Sequence, residues 1–91
     1  MSEISQISCQ LSFYPLGAAD YNQIVEQVLH LIRQQTAVTA ETNDLATILR
    51  GPATDIFQLL EQITNYAQEQ KWHFVCNATI SNTCGCQLEN N

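Results

Sequence analysis

The order of hydrophobic periods along the chain restricts its fold more than any other feature. Residues 4–14 alternate apolar and polar side chains, and a period of two predicts a half-buried strand. The stretches 20–35 and 52–70 place apolar residues every three to four positions, which predicts two amphipathic helices. The first helix would bury Tyr21 and the residues that follow it at helical spacing, and the second would bury a face that includes Phe57.

The remaining periodic segments predict three more strands. Residues 38–41 and 45–50 read as a hairpin around the turn Thr42-Asn43-Asp44, and the last strand runs from residue 72 to 81. A right-handed crossover in each βαβ half leaves room for one strand between the two parallel strands of that half. A strand of the other half fills that room, so the two halves form one sheet. The predicted fold is therefore an α+β, ferredoxin-like βαββαβ sandwich with a four-stranded antiparallel sheet ordered 4-1-3-2 and two helices on one face.

Local signals set the expected ends of the helices. Asp20 is predicted to be the N-cap of the first helix, with Gln23 completing a pair like a capping box. Gly51-Pro52 is predicted to end the third strand and open the second helix, with Pro52 at an early helical position. Leu45 or Leu49 is expected to add an apolar patch to the outer face of the sheet. Because residues 45–49 do not alternate cleanly, it is left open whether Thr47 or Ile48 faces the helices.

Composition and charge limit the class of protein. The 91 residues predict a single domain over residues 1–91, with 82–91 as a polar C-terminal tail. A net charge of −6 argues against nucleic-acid binding, which depends on Lys and Arg at phosphates. No apolar run has the length of a membrane span, and the first residues lack the basic and apolar regions of a secretory signal. Together with four cysteines expected as reduced thiols, this predicts a cytoplasmic protein.

The face of the sheet that points away from the helices is predicted to need a cover. It would carry polar side chains from the first and last strands together with the apolar Val75. Pairing with a second copy by two-fold symmetry would supply that cover, so a homodimer or tetramer is expected. A regulatory or oligomerisation module without a small ligand is the alternative that this face leaves open.

Signals for catalysis and for metal binding are weak. The sequence contains no order of Ser, His and Asp, no paired catalytic carboxylates and no Gly-rich phosphate loop, so the chain is predicted not to be an enzyme. Cys84-Gly85-Cys86 offers two thiolates, whereas tetrahedral zinc needs four ligands. A carrier of copper or zinc through Cys84 and Cys86 is therefore kept as a lesser alternative.

Three segments together resemble the YkoF family, which binds thiamine and its hydroxymethylpyrimidine moiety. Residues 9–17 (CQLSFYPLG) resemble its first strand, and residues 42–51 (TNDLATILRG) resemble its hairpin and third strand. Residues 74–81 (FVCNATIS), followed by Cys84-Gly85, are similar to its closing strand. The resemblance implies a non-catalytic binder of thiamine or hydroxymethylpyrimidine, with no cofactor, acting in vitamin salvage or delivery. The name-giving members of the family carry two such repeats in one chain whereas this chain carries one, so the resemblance again implies self-association.

The candidate ligand-binding residues follow from the chemistry of that ligand. An aminopyrimidine edge presents ring-nitrogen acceptors and an amine donor, which carboxylate, amide and hydroxyl groups match, and its flat ring suits an aromatic wall. The candidates are Gln10, Ser12, Tyr14, Glu41, Asp44, Thr47, Asn77 and Thr79. Because the thiazolium ring of thiamine is cationic, an acidic chain is expected to attract it.

Overall fold

The computed structural model describes residues 6–17, 19–43 and 46–83. The elements are β1 (Gln6–Pro15), α1 (Tyr21–Arg33), β2 (Thr39–Thr42), β3 (Thr47–Pro52), α2 (Ala53–Glu69) and β4 (Phe74–Ser81). The four strands form one antiparallel sheet in the order β2-β3-β1-β4. The predicted βαββαβ sandwich and its sheet order of 4-1-3-2 are thus confirmed.

The register of the strands assigns each side chain to one of two faces. Cys9 of β1 lies opposite Leu49 of β3, and both are fully buried, so this row faces the helices. Gln10 lies opposite Ile48 and Thr79 in the next row, which faces away from them. We call these the inner and the outer face. The core on the inner face consists of Cys9, Leu11, Val28, Ile32, Val38, Leu49, Ile56, Leu59 and Ile63.

Leu49 belongs to the inner face, so the expectation that it lies on the outer face was wrong. Thr47 is also buried on the inner face, opposite Leu11, which settles the side left open by the sequence. Ile48 takes the outer face between them, because side chains alternate along a strand. Leu45 lies outside the described residues.

Two side chains that the sequence placed on buried helix faces are exposed. The buried residues of α2 are Ile56, Leu59, Ile63 and Ala67. Phe57 is 54% exposed, because one residue further along the helix turns it about 100° away from that stripe. Tyr21, the first residue of α1, is 44% exposed. Apolar spacing therefore identified both helices correctly but made each buried face too wide.

Both helix starts differ in detail from the prediction. Asp20 is the N-cap of α1 but makes no side-chain capping bond, so the predicted capping box is absent. Its backbone carbonyl instead accepts hydrogen bonds from the N–H groups of Gln23 and Ile24. Pro52 is the N-cap of α2 with extended backbone, rather than an early helical residue, and it also ends β3. β3 therefore ends at Pro52, two residues later than the predicted end at residue 50.

The chain turns sharply between α2 and β4. Lys71 has a positive φ of 62°, and the N–H of Trp72 donates to the carbonyl of Ala67. The Trp72 ring packs edge-on against Tyr66, with centroids 5.5 Å apart. Trp72 thus lies in the turn after α2, packed against the end of that helix, and β4 begins two residues later than predicted. Among the residues that the structure describes, no helix is long and apolar enough to cross a membrane.

Candidate small-molecule cleft

A cleft opens between α1 and the sheet, at the end of β1 that follows Leu11. β1 pairs with β4 as far as Pro15 but with β3 only as far as Leu11, which lies opposite Thr47. Beyond that pair, β3 no longer lies beside β1, and Asn43 and Ala46 line the cleft instead. This offset between the two ladders leaves a volume of about 260 Å³. The volume is just below the ~300–1,000 Å³ of typical ligand sites, which suits a compact ligand.

Side chains from four elements and the connection between β2 and β3 line the cleft. The lining residues are Leu11, Ser12, Phe13, Tyr14, Tyr21, Val25, Val28, Leu29, Ile32, Thr42, Asn43, Ala46 and Thr47. Most of this surface is apolar, and the polar groups concentrate at the hairpin. That distribution is typical of sites for small organic molecules, in which a few placed polar groups orient a ligand against apolar walls.

Two threonines form the polar end of the cleft. Thr47 is 7% exposed, and its Oγ1 lies 3.2 Å from Oγ1 of Thr42 in a hydrogen bond. The adjoining connection is held by Asn43, whose backbone N–H donates to the carbonyl of Ala46 and whose Oδ1 accepts from the N–H of Ala46, each at 2.9 Å. These two bonds hold Ala46 against Asn43 directly before β3 begins at Thr47.

Aromatic side chains border the opposite, more open side. Tyr14 and Tyr21 are 43% and 44% exposed, so their rings reach the solvent at the mouth of the cleft. Phe13 also lines the cleft and stacks on Phe74, with centroids 5.0 Å apart and planes 15° apart. The stacking packs the Phe13 ring against the first residue of β4. A flat ring entering the cleft would meet aromatic and aliphatic surface on several sides.

The predicted binding residues fall into two groups in the structure. Thr47 lines the cleft from the inner face, and Ser12 and Tyr14 border it at the edge of β1 that β3 leaves unpaired, although their register belongs to the outer face. Gln10, Glu41, Asn77 and Thr79 lie on the outer face outside the cleft, where Gln10 lies beside Thr79. Asp44 lies outside the described residues. The structure therefore does not bring all the predicted residues to one place.

The outer face is broad and nearly uncharged. One row crosses all four strands as Glu41, Ile48, Gln10 and Thr79, and further along the sheet Tyr14 lies opposite Val75, which is 46% exposed. Arg50 pairs with Glu41 at 3.5 Å. Both partners are more than half exposed, so the pair adds little stability.

The two described cysteines are structural in character. Cys9 is fully buried and Cys76 is half-buried, and burial raises the pKa of both thiols above the ordinary value. Within residues 6–17, 19–43 and 46–83, no three His, Cys, Asp or Glu side chains gather as a metal site would require. Cys84 and Cys86, the thiols of the metal-carrier alternative, lie outside the described residues.

Sequence reasoning missed several cleft residues. Tyr21 was assigned to the apolar stripe of α1, and Thr42 and Asn43 were assigned only to a turn. A signal was present, since Thr42 and Thr47 flank the predicted turn, and residues directly opposite each other in an antiparallel hairpin lie on the same face. Which face that is depends on the position of α1 and cannot be read from the hairpin alone.

Comparison with known proteins places this domain in a family. Residues 6–87 match the YKOF-related family, so the chain belongs to that family. It is 25% identical over 77 residues to YkoF of Bacillus subtilis (strain 168), a proposed HMP/thiamine-binding protein, HMP being hydroxymethylpyrimidine. That alignment covers 85% of this chain but 38% of the Bacillus protein, so the chain spans about two-fifths of the relative it matches.

Solved structures support the same fold. A proposed thiamine biosynthesis/salvage protein of Thermotoga maritima superposes with a TM-score of 0.72 and 16% identity, covering 84% of this chain and 82% of that one. A protein of Streptococcus pneumoniae superposes with a TM-score of 0.78 and 21% identity, covering 93% and 94%. A hypothetical protein of Methanocaldococcus jannascii gives 0.76 and 19%, covering 94% and 95%. At these identities, the likeness concerns the fold.

Proposed function

We propose that this chain is a cytoplasmic, non-catalytic binder of thiamine or of its hydroxymethylpyrimidine moiety, acting in salvage or delivery of the vitamin. The observation that carries the proposal is the cleft between α1 and the β2–β3 hairpin, with the Thr42–Thr47 hydroxyl pair at its polar end. Membership of the YKOF-related family and the name of the Bacillus relative support the choice of ligand.

The cleft suits the pyrimidine better than the rest of thiamine. A hydroxyl both donates and accepts a hydrogen bond, so Thr42 and Thr47 match an edge that carries ring nitrogens and an amine. The apolar walls and the rings of Tyr14 and Tyr21 would cover the faces of a flat ring. None of the described lining residues is charged, so the cationic thiazolium would stay toward the mouth. There, the net charge of −6 would favour it.

Calorimetric titration with thiamine and with hydroxymethylpyrimidine tests this function directly. We expect saturable binding of both, with a rise in melting temperature that grows with ligand concentration. The absence of both heat and thermal shift at millimolar ligand would overturn the proposal and favour the ligand-free assembly module. Metal content that is unchanged after replacing Cys84 and Cys86 with serine would in turn argue against the copper or zinc carrier.

The outer face is a second place for the ligand, because it holds Gln10, Glu41, Asn77 and Thr79. It is nevertheless an open sheet surface, which cannot enclose a ring from both sides as the cleft does. We therefore propose the cleft as the binding site, with Ser12, Tyr14 and Thr47 as its predicted residues and Tyr21 and Thr42 as additions.

We also propose that the outer face associates with a second copy of the chain. On the described strands this face carries one acidic residue, Glu41, and it is paired with Arg50. The chain as a whole has a net charge of −6, so two copies repel over much of their remaining surface. Exposed Val75 adds apolar area to this neutral face. A homodimer joined there would cover it while leaving open the part of each cleft that lies between α1 and the sheet.

A further inference from the structure

Every basic side chain of this chain lies away from the cleft. The sequence has three Lys and Arg residues and two His residues, and the structure describes all five. Arg50 is on the outer face in its pair with Glu41. Arg33 and His30 face a groove between the helices beside Tyr66. Lys71 and His73 lie at the turn before β4.

Phosphate recognition normally relies on such groups. A phosphate monoester carries about −1.5 to −2 charges at neutral pH and presents strong acceptor oxygens, which Arg and Lys usually meet. The described lining of the cleft instead offers hydroxyls, an amide and apolar surface. The positive end of α1 begins at Tyr21, but the carboxylate of Asp20 immediately precedes it and offsets that field. The net charge of −6 repels an anion further.

We infer that the cleft selects the free alcohol of its ligand and rejects the phosphate ester. This inference rests on the proposed function and adds the chemical form that is bound. Hydroxymethylpyrimidine carries no ionic group, and thiamine keeps its thiazolium at the mouth, so neither alcohol gives up ionic hydration to the uncharged site. A phosphate ester has to keep the phosphate in water or lose that hydration without a cation in return. The domain would thus hold the vitamin before phosphorylation and release it once it carries a phosphate.

Two pairs of ligands test the selectivity. Thiamine is compared with thiamine monophosphate, and hydroxymethylpyrimidine with its phosphate, by titration calorimetry at fixed pH and ionic strength. We expect hydroxymethylpyrimidine phosphate to bind at least tenfold more weakly than its alcohol. Thiamine monophosphate should lose less affinity, because its phosphate is on the thiazole side and stays at the mouth. Affinities within threefold of each other for the hydroxymethylpyrimidine pair would overturn the inference while the proposed function stands. If neither alcohol binds at millimolar concentration, the proposed function fails and this inference fails with it.

A matched pair of lysine variants locates the source of the selectivity. Thr42→Lys adds a cation at the cleft, whereas Thr39→Lys adds the same charge on the same strand, opposite Arg50 on the outer face. We expect Thr42→Lys to raise the affinity for the ester relative to the alcohol at least fivefold, with less than a twofold change for Thr39→Lys. Because the affinity for the ester is divided by the affinity for the alcohol in the same variant, a substitution that weakens both equally leaves this ratio unchanged. Equal changes in both variants would overturn the assignment of the selectivity to the cleft.

Discussion

The hydroxyl oxygens of Thr42 and Thr47 lie 3.2 Å apart across the β2–β3 ladder, at the polar end of the cleft. Thr47→Val keeps the shape of the side chain but removes its hydrogen-bonding group. We expect it to weaken binding of hydroxymethylpyrimidine by about 3–10-fold, the value of one hydrogen bond of ~0.5–1.5 kcal/mol. Calorimetric titration of the two proteins measures the ratio.

Thr79→Val is the matched control for that variant. It makes the same chemical change on the outer face, where Thr79 lies opposite Gln10. We expect unchanged affinity for this variant. The reverse pattern, with loss in Thr79→Val and none in Thr47→Val, would move the binding site from the cleft to the outer face.

Leu49 and Ile48 are consecutive residues on opposite faces of β3. Leu49 is fully buried in the core, so Leu49→Ala should lower the free energy of unfolding by about 2–5 kcal/mol. Ile48→Ala removes a similar side chain from the partly exposed outer face and should cost clearly less. Urea unfolding of both variants checks the difference. Equal losses would contradict the register derived for this strand.

Gly51 and Gly17 need glycine for different reasons, Gly51 because of close backbone contacts and Gly17 because of its positive φ. A Cβ on Gly51 would lie 2.7 Å from the carbonyl oxygen of Ala37 and 3.3 Å from Cα of Val38, so Gly51→Ala requires the backbone to move. We expect a loss of about 1–3 kcal/mol or more for this overpacking. Gly17 has a positive φ of 63° but open space around it, so Gly17→Ala should cost only about 1–2 kcal/mol. Thermal unfolding ranks the two variants.

Buried Cys9 predicts a loss of stability in alkali. Burial raises the pKa of the Cys9 thiol in the folded chain. Above the ordinary thiol pKa of ~8.5, the unfolded chain therefore releases this proton while the folded chain keeps it, and stability falls as pH rises, by at most ~1.4 kcal/mol per pH unit. Urea unfolding of the wild type and of Cys9→Ala between pH 8 and 10 measures the two slopes. A slope that is as steep in Cys9→Ala would exclude Cys9 as its source.

Association through the outer face predicts a specific effect of charge. Val75→Lys places a cation on an exposed apolar position of that face, and we expect the dissociation constant of the homodimer to rise at least tenfold. Phe57→Lys makes a comparable change at an exposed position on α2 and should leave the constant unchanged. Sedimentation equilibrium distinguishes these outcomes. A monomeric wild type would refute this proposal without affecting the cleft.

The sequence predicted the fold well because alternation and helical spacing are local properties. The spacing of apolar residues predicted the order of the elements and the inner position of Cys9. The handedness of crossovers then predicted the order of the strands in the sheet. Predictions failed where a local pattern was ambiguous or a tertiary contact decided. Leu49 lies in a run of apolar residues without alternation, and the exposure of Phe57 depends on where α2 rests on the sheet.

The candidate site was harder to predict for a geometric reason. Grouping polar residues by strand face correctly put Gln10 beside Thr79, but the cleft draws on the opposite face at Thr47 and on the end of α1 at Tyr21. Its location depends on how far β3 extends along β1, which is a tertiary property. Family resemblance suggested the ligand but did not indicate this arrangement.

The early end of the β1–β3 ladder has a consequence for how the domain can change. Two more paired residues at the start of β3 would extend the sheet alongside Phe13 and fill the opening with backbone. The length of the connection between β2 and β3 thus limits the size of the ligand that the cleft can hold. We expect residues inserted there to resize or close the cleft, while the core on the inner face stays intact.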